Sequence, residues 1–115
     1  MKPNRVLVHL SEHEQRLIDP SDVYFLAASG HHTEIRLRGR QPLIDNRSLG
    51  EVLPAWTPHG IIRIHLQHAV NINRIHTLRR QPDGRDWEVK LEPPVNTVLP
   101  IARDRLAEFR TALGG

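Results

Sequence analysis

A chain of 115 residues with a net charge of +3 and no cysteine is long enough for one domain with its own core, and it is closed to disulfides, thiolate catalysis and zinc knuckles. Two Trp, two Phe and one Tyr are too few for a fold that reads single strands by stacking bases on an aromatic platform. No apolar run approaches the length of a membrane span and the N-terminus lacks the apolar region of a signal peptide, so a soluble cytoplasmic domain is expected.

Taken in chain order, RVLVHL at 5–10 predicts a first strand. Ser11 and Glu14 stand at capping-box spacing, a short turn or a single helical turn at most. Asp19-Pro20-Ser21-Asp22 is a turn signal, and VYFLAA at 23–28 is short, apolar and β-prone, the pattern of a buried strand. Ser29-Gly30-His31-His32 makes a loop tip. TEIRLR at 33–38 alternates, with Ile35 and Leu37 inward; Gly39-Arg40 turns the chain and 41–44 returns as a strand. Ser48 and Glu51 form a second capping box before Val52 and Leu53, predicting a short helix over 48–53 that Pro54 and Pro58 stop. Residues 61–66 predict a strand with Ile62, Ile64 and Leu66 on one face and Arg63, His65 and Gln67 on the other, and 70–78 a returning strand. Pro82-Asp83-Gly84 is a hairpin turn. WEVKLE at 87–92 alternates cleanly, 93–96 turns, 97–101 is the last strand, and from Ala102 a helix follows with Leu106, Phe109 and Leu113 on one stripe. Short strands joined by tight turns, a short central helix and a C-terminal helix, with no strand–helix–strand alternation, argue against a parallel α/β sheet. There is no repeat, low-complexity segment or linker, so residues 1–115 read as a single domain.

The charge is uneven. Residues 31–80 carry eight Arg (36, 38, 40, 47, 63, 74, 79 and 80) against Glu34, Asp45 and Glu51, an excess of five; the rest of the chain is acidic by two. Fourteen of the sixteen cations are Arg, whose planar fork matches phosphate and guanine edges in paired hydrogen bonds. A preference for Arg codons gives the same composition, so both readings stand on composition alone.

Eight histidines (9, 13, 31, 32, 59, 65, 68 and 76) raise a metal hypothesis that their spacing does not support. His9 and His13 span strand and turn, His65 and His68 fall on opposite faces of one presumed strand, and no HExxH-like pair occurs. Neither a metal nor a cofactor is expected. Ser29 beside His31 and His32 is the one local nucleophile–base pairing, with no third group and no oxyanion donor, so the chain is not expected to be an enzyme or to take a small-molecule substrate. Nucleic-acid binding gains from placement: His31, His32 and Thr33 on one tip, Arg63, His65, Gln67 and His68 along one polar edge, and Arg103 with Asp104 opening the last helix, where free backbone N–H groups favour phosphate.

Several separated segments, in order, resemble the LytTR family of DNA-binding domains: 22–30 (DVYFLAASG), Thr33 and Ile35, Arg47-Ser48-Leu49 with Leu53, 62–65 (IRIH), Val70-Asn71 with Ile75, and 99–103 (LPIAR). The family segment F-x-R-x-H-R-S-x-x-V-N-x-x-x-I is rendered here as residues 61–75. The resemblance runs from about residue 22 to 113, with 1–21 a first strand and lead-in. It implies a mainly β fold: an elongated stack of small antiparallel sheets of about ten short strands, a short central helix and a C-terminal helix, with loops rather than a recognition helix entering the DNA grooves. Carried over by position, His31, His32 and Thr33 match the first groove-inserting loop, His65, Leu66 and Gln67 the middle loop, and Arg103 the last. Arg63 and His65 would be the DNA-facing edge, and Asn71 would be structural, its amide closing a turn onto backbone groups. The family is bacterial, composed mostly of response regulators that act in transcription on paired direct repeats. The expected partner is therefore double-stranded DNA, with a second copy of the chain beside it. Leu66, Gln67 and Ala102 depart from the family's usual Arg or Asn, Ser, and Ser. The alternative these departures suggest is a protein-interaction module on the same fold with weakened DNA contacts.

Overall fold

The computed structural model describes residues 4–114; Met1, Lys2 and Pro3 of the expected lead-in, and Gly115, lie outside the described residues. Among the described residues there are ten strands: β1 (Val6–His9), β2 (Gln15–Ile18), β3 (Val23–Ser29), β4 (His32–Leu37), β5 (Leu43–Asp45), β6 (Ile61–His65), β7 (His68–Asn71), β8 (Ile75–Arg80), β9 (Trp87–Leu91) and β10 (Val98–Ile101). Helix α1 (Leu49–Trp56) falls between β5 and β6, and α2 (Leu106–Ala112) follows β10. The strands form three antiparallel sheets, β1-β2, β5-β4-β3-β7-β6 and β10-β9-β8, stacked into a body of 47 × 32 × 27 Å. The fold is thus the mainly β, elongated stack of small sheets expected from the sequence.

The unbroken apolar run of β3 has a direct cause. The five-stranded sheet is covered on both faces, so its central strand has no solvent side. One face packs Val23, Leu26, Ile35, Leu37, Ile61 and Ala69 against the β1-β2 ribbon and α1. The other packs Tyr24, Phe25, Ile64 and Val70 against the β8-β9-β10 sheet and Phe109 of α2. A register shift between Val23 and Phe25 lets Tyr24 and Phe25 enter the same layer. The Tyr24 hydroxyl donates to the Pro93 carbonyl (3.0 Å), joining the sheets at the end opposite the β3–β4 turn.

Asp45 ties the β1-β2 ribbon down. Its buried carboxylate accepts from the His9 amide (3.1 Å), the Arg47 amide (3.0 Å) and the Arg47 guanidinium (3.1 and 3.0 Å). Burial pushes its pKa up, and the bonds from Arg47 and from the two amides outweigh that, holding the carboxyl below the usual carboxylate range.

Several expectations are corrected. Strand β2 went unread because three of its four residues face solvent and leave no alternation. Helix α1 does not stop before Pro54 but runs through it to Trp56: Leu49, Val52 and Trp56 are all buried, and packing the Trp56 ring holds the extra turn despite the lost amide. The return strand expected over 70–78 is two strands, β7 and β8, separated by the 3-10 turn Ile72–Arg74. Asn71 sits at the break, buried, its amide donating to the carbonyls of Pro20 (3.2 Å) and Val23 (2.9 Å) while its oxygen accepts from the Asn73 amide (2.9 Å). The last helix opens with a 3-10 turn, Arg103–Arg105, and Leu113 stays exposed off its stripe. The capping box of Ser48 and Glu51 is formed in both directions, whereas Ser11 closes a turn without a helix.

Candidate nucleic-acid interface

Three loops that are far apart in sequence meet at one end of the molecule, and main-chain bonds gather them. Strand β3 runs beside β7 with Ala27 opposite His68, so the β3–β4 and β6–β7 turns lie side by side. The Ala28 amide donates to the Gln67 carbonyl (2.8 Å), bonding one turn to the other. On the far side of β6, the Ala102 amide donates to the Ile64 carbonyl (2.8 Å), which seats the β10–α2 loop and its Arg103 beside the middle turn. Amide–carbonyl bonds between separate elements fix the spacing of the tips whatever side chains they carry.

The β3–β4 turn is tight, with Gly30 at φ 60° and Ser29 opposite His32. Gly30 takes a conformation that costs other residues, and the turn leaves His31 and His32 exposed. Thr33, expected on this tip, is instead buried: it belongs to β4, and its hydroxyl donates to the Arg47 carbonyl (2.9 Å). It anchors the base of the tip.

The middle turn consists of Leu66 and Gln67, one residue tighter than a strand to Leu66 would allow. Leu66 therefore leaves the face it would share with Ile62 and Ile64 and is 68% exposed. His65 and His68, expected on opposite faces of one strand, become cross-strand partners with ring centroids 5.6 Å apart, tilted by 49°. His65 Nδ1 accepts from the Gln67 amide (3.2 Å). His68 Nδ1 is buried without a hydrogen-bond partner, and burial first, then the neighbouring His65 ring, lowers the His68 pKa below the ordinary imidazole value. The Arg63 guanidinium folds over the turn, its Nε donating to the His65 carbonyl (3.3 Å) and an Nη to the Leu66 carbonyl (2.5 Å).

Arg103 is exposed and its Nε donates to Asp86 (2.5 Å) in the β8–β9 turn, a contact that holds the Asp86 carboxyl below its usual range. The bond engages the Nε side of the guanidinium, and among the described residues neither Nη group makes a hydrogen bond or ion pair. Sequence reasoning missed this neighbourhood. Trp87, paired with Ile101 and Arg80, lies under two guanidinium groups, Arg80 at 5.3 Å and Arg110 at 4.4 Å from the ring centroid. The Pro82-Asp83-Gly84 turn was the one sequence signal that could have set Arg80 opposite Trp87.

The mid-chain basic excess does not gather here as a whole. Arg36, Arg38 and Arg40 lie towards or in the β4–β5 turn, at the opposite end of the sheet from His31, while Arg47, Arg74 and Arg79 pair with Asp45, Glu92 and Glu88. No group of three or more His, Asp or Glu residues among the described residues could hold a metal, and no helix among them is long and apolar enough to cross a membrane.

A family model described as the LytTr DNA-binding domain matches residues 13–114. Among solved structures, the LytTr DNA-binding domain of a protein described as a methyl-accepting/DNA response regulator from Bacillus cereus is similar over 99% of this chain and 100% of that one, with a TM-score of 0.77 and 18% identity. No curated protein matches. With the family match spanning nearly all of its length, this chain belongs to the LytTR family of DNA-binding domains, which is not a family of enzymes.

Proposed function

We propose that this chain binds double-stranded DNA sequence-specifically through the loops at one end, as a transcriptional regulator or the output domain of one, working inside the cell where that DNA is. The observation that carries the reading is the convergence of the β3–β4 turn, the β6–β7 turn and the β10–α2 loop, tied by the Ala28–Gln67 and Ala102–Ile64 bonds. His31, His32, Leu66, Gln67 and Arg103 face the DNA. Thr33 and Arg63 hold the loops that carry them, and His65 and His68 form the floor between. Arg80 and Arg110, each over the Trp87 ring, supply positive charge beside Arg103. One such end reads a short half-site, so two copies on paired direct repeats would supply the length that a specific site needs.

The exposed Leu66 favours one competing reading, a protein-interaction module that keeps the fold and binds duplex poorly. Selection from a random duplex pool, followed by affinity against salt, separates the two. For DNA binding, a sequence emerges, and its affinity falls with salt at a log–log slope of about −0.9 per phosphate neutralised. Failure to enrich any sequence, with poor duplex binding at all salt concentrations, would overturn the DNA reading.

A further inference from the structure

Leu66 is the most exposed of the large hydrophobic residues at the surface of the described chain, and it stands at the centre of the proposed DNA-binding end. A leucine left in water on a mobile loop would need no explanation. This one is held still. Its carbonyl accepts from Arg63, the preceding carbonyl of His65 accepts from the same guanidinium, the Gln67 amide is bonded to His65 Nδ1, and the Gln67 carbonyl is bonded to Ala28. The main-chain carbonyls around Leu66 are thus engaged within the tip, and the turn presents outward the isobutyl group of Leu66 beside the side chain of Gln67.

Such a tip suits one kind of base edge. A two-stranded ribbon fits the major groove, and of the four bases only thymine presents a methyl group there. Leucine over the N4 amino group of cytosine or the O6 of guanine would cover a polar group without bonding it, which costs free energy, whereas against a methyl it removes apolar surface from water. We propose that Leu66 reads the 5-methyl group of a thymine, so that the target of this chain carries a thymine under the β6–β7 turn. The inference rests on the proposed DNA binding and adds a base preference to it.

The experiment removes the methyl and nothing else. Each thymine of the selected duplex is replaced in turn by deoxyuridine, and affinity is measured for the wild type and for Leu66→Ala, with melting curves to show that both are folded. The wild type should lose affinity about four-fold at one position, the loss expected for one buried methyl. Leu66→Ala should bind the parent duplex more weakly and be indifferent to the methyl at that position, while keeping any response elsewhere. Placing 5-methylcytosine there should restore part of the wild-type affinity lost by a thymine-to-cytosine change. A flat methyl scan with the wild type, or the same sensitivity retained in Leu66→Ala, overturns the inference while leaving DNA binding intact. So does a Leu66→Ala loss independent of every methyl, the behaviour of an apolar wedge between base steps. Absence of binding to any duplex overturns both this inference and the function it rests on.

Discussion

Replacing Asn71 with Ala should weaken the fold far more than it weakens contact with DNA. The side chain is buried and makes three bonds, two from its amide to Pro20 and Val23 and one to its oxygen from Asn73. Alanine removes all three bonds at the junction of β3, β7 and the turn before β8; the Pro20 carbonyl keeps the Val23 amide, while the Val23 carbonyl and the Asn73 amide lose their Asn71 partner. Each unpaired buried group costs about 1–3 kcal/mol, but Asn73 borders a hollow open to solvent and water can relieve part of its loss, so about 3 kcal/mol in total is expected. For a domain of this size that corresponds to a fall of about 12 °C in melting temperature. Thermal unfolding followed by circular dichroism measures it, and DNA affinity is then compared well below the transition. Asn71→Asp adds a sharper check: the acceptor for Asn73 survives, but a carboxylate now faces two carbonyls, so this variant should recover stability as the pH is lowered enough to protonate it. An Asn71→Ala protein that melts with the wild type yet binds DNA weakly would refute the reasoning and move Asn71 into the interface.

Two further predictions concern the site. Arg103→Ala should cost about 1–3 kcal/mol on the selected duplex and less on a scrambled one, as a paired contact to guanine requires; an equal loss on both would make it a phosphate contact. Asp86→Ala should narrow the gap between selected and scrambled duplex, because it frees the guanidinium that Asp86 orients while removing a negative charge near DNA; a wider gap would mean that Asp86 only restrains Arg103. The third concerns pH. His68 has its pKa lowered in the fold, so the folded protein binds fewer protons than the unfolded chain just below the ordinary imidazole value. Stability from this group is full above about pH 6.5 and falls as the pH drops from there towards the folded pKa. Urea unfolding across that range should show His68→Gln losing less stability than the wild type, and identical pH slopes would remove His68 as the cause.

Patterns that depend on neighbours in sequence were readable in advance. The alternation of TEIRLR and WEVKLE, the capping box at Ser48 and the turn at Pro82-Asp83-Gly84 are local, and each became the element its residues describe. What was missed depends on contacts across the chain. A helix through Pro54 needs the pocket that takes Trp56. The β2 edge strand is made by pairing with β1, not by a pattern of its own. Thr33 reads as a tip residue until β4 pairs with both β3 and β5 and turns it inward. At the candidate site the sequence could name His31, His32, Gln67 and Arg103 as polar groups near turns, but not the Asp86 carboxylate that bonds Arg103 or the Trp87 ring that lies under Arg80 and Arg110, which only the β8-β9-β10 sheet brings into place. The register of the β6–β7 turn decided the rest, because one residue more or less exchanges the roles of His65, Leu66 and His68.

The bonds that gather the three tips are between amides and carbonyls, at Ala28, Gln67, Ala102 and Ile64. Every residue type owns a carbonyl, and every type but proline owns an amide hydrogen. The side chains at 31, 32, 66, 67 and 103 can therefore be exchanged without touching the ties that align them, with proline at 28 or 102 the exception. Under the proposed function the reading head is then separable from the frame, and substitutions at a few tips would change the DNA site read while the strands beneath stay as they are.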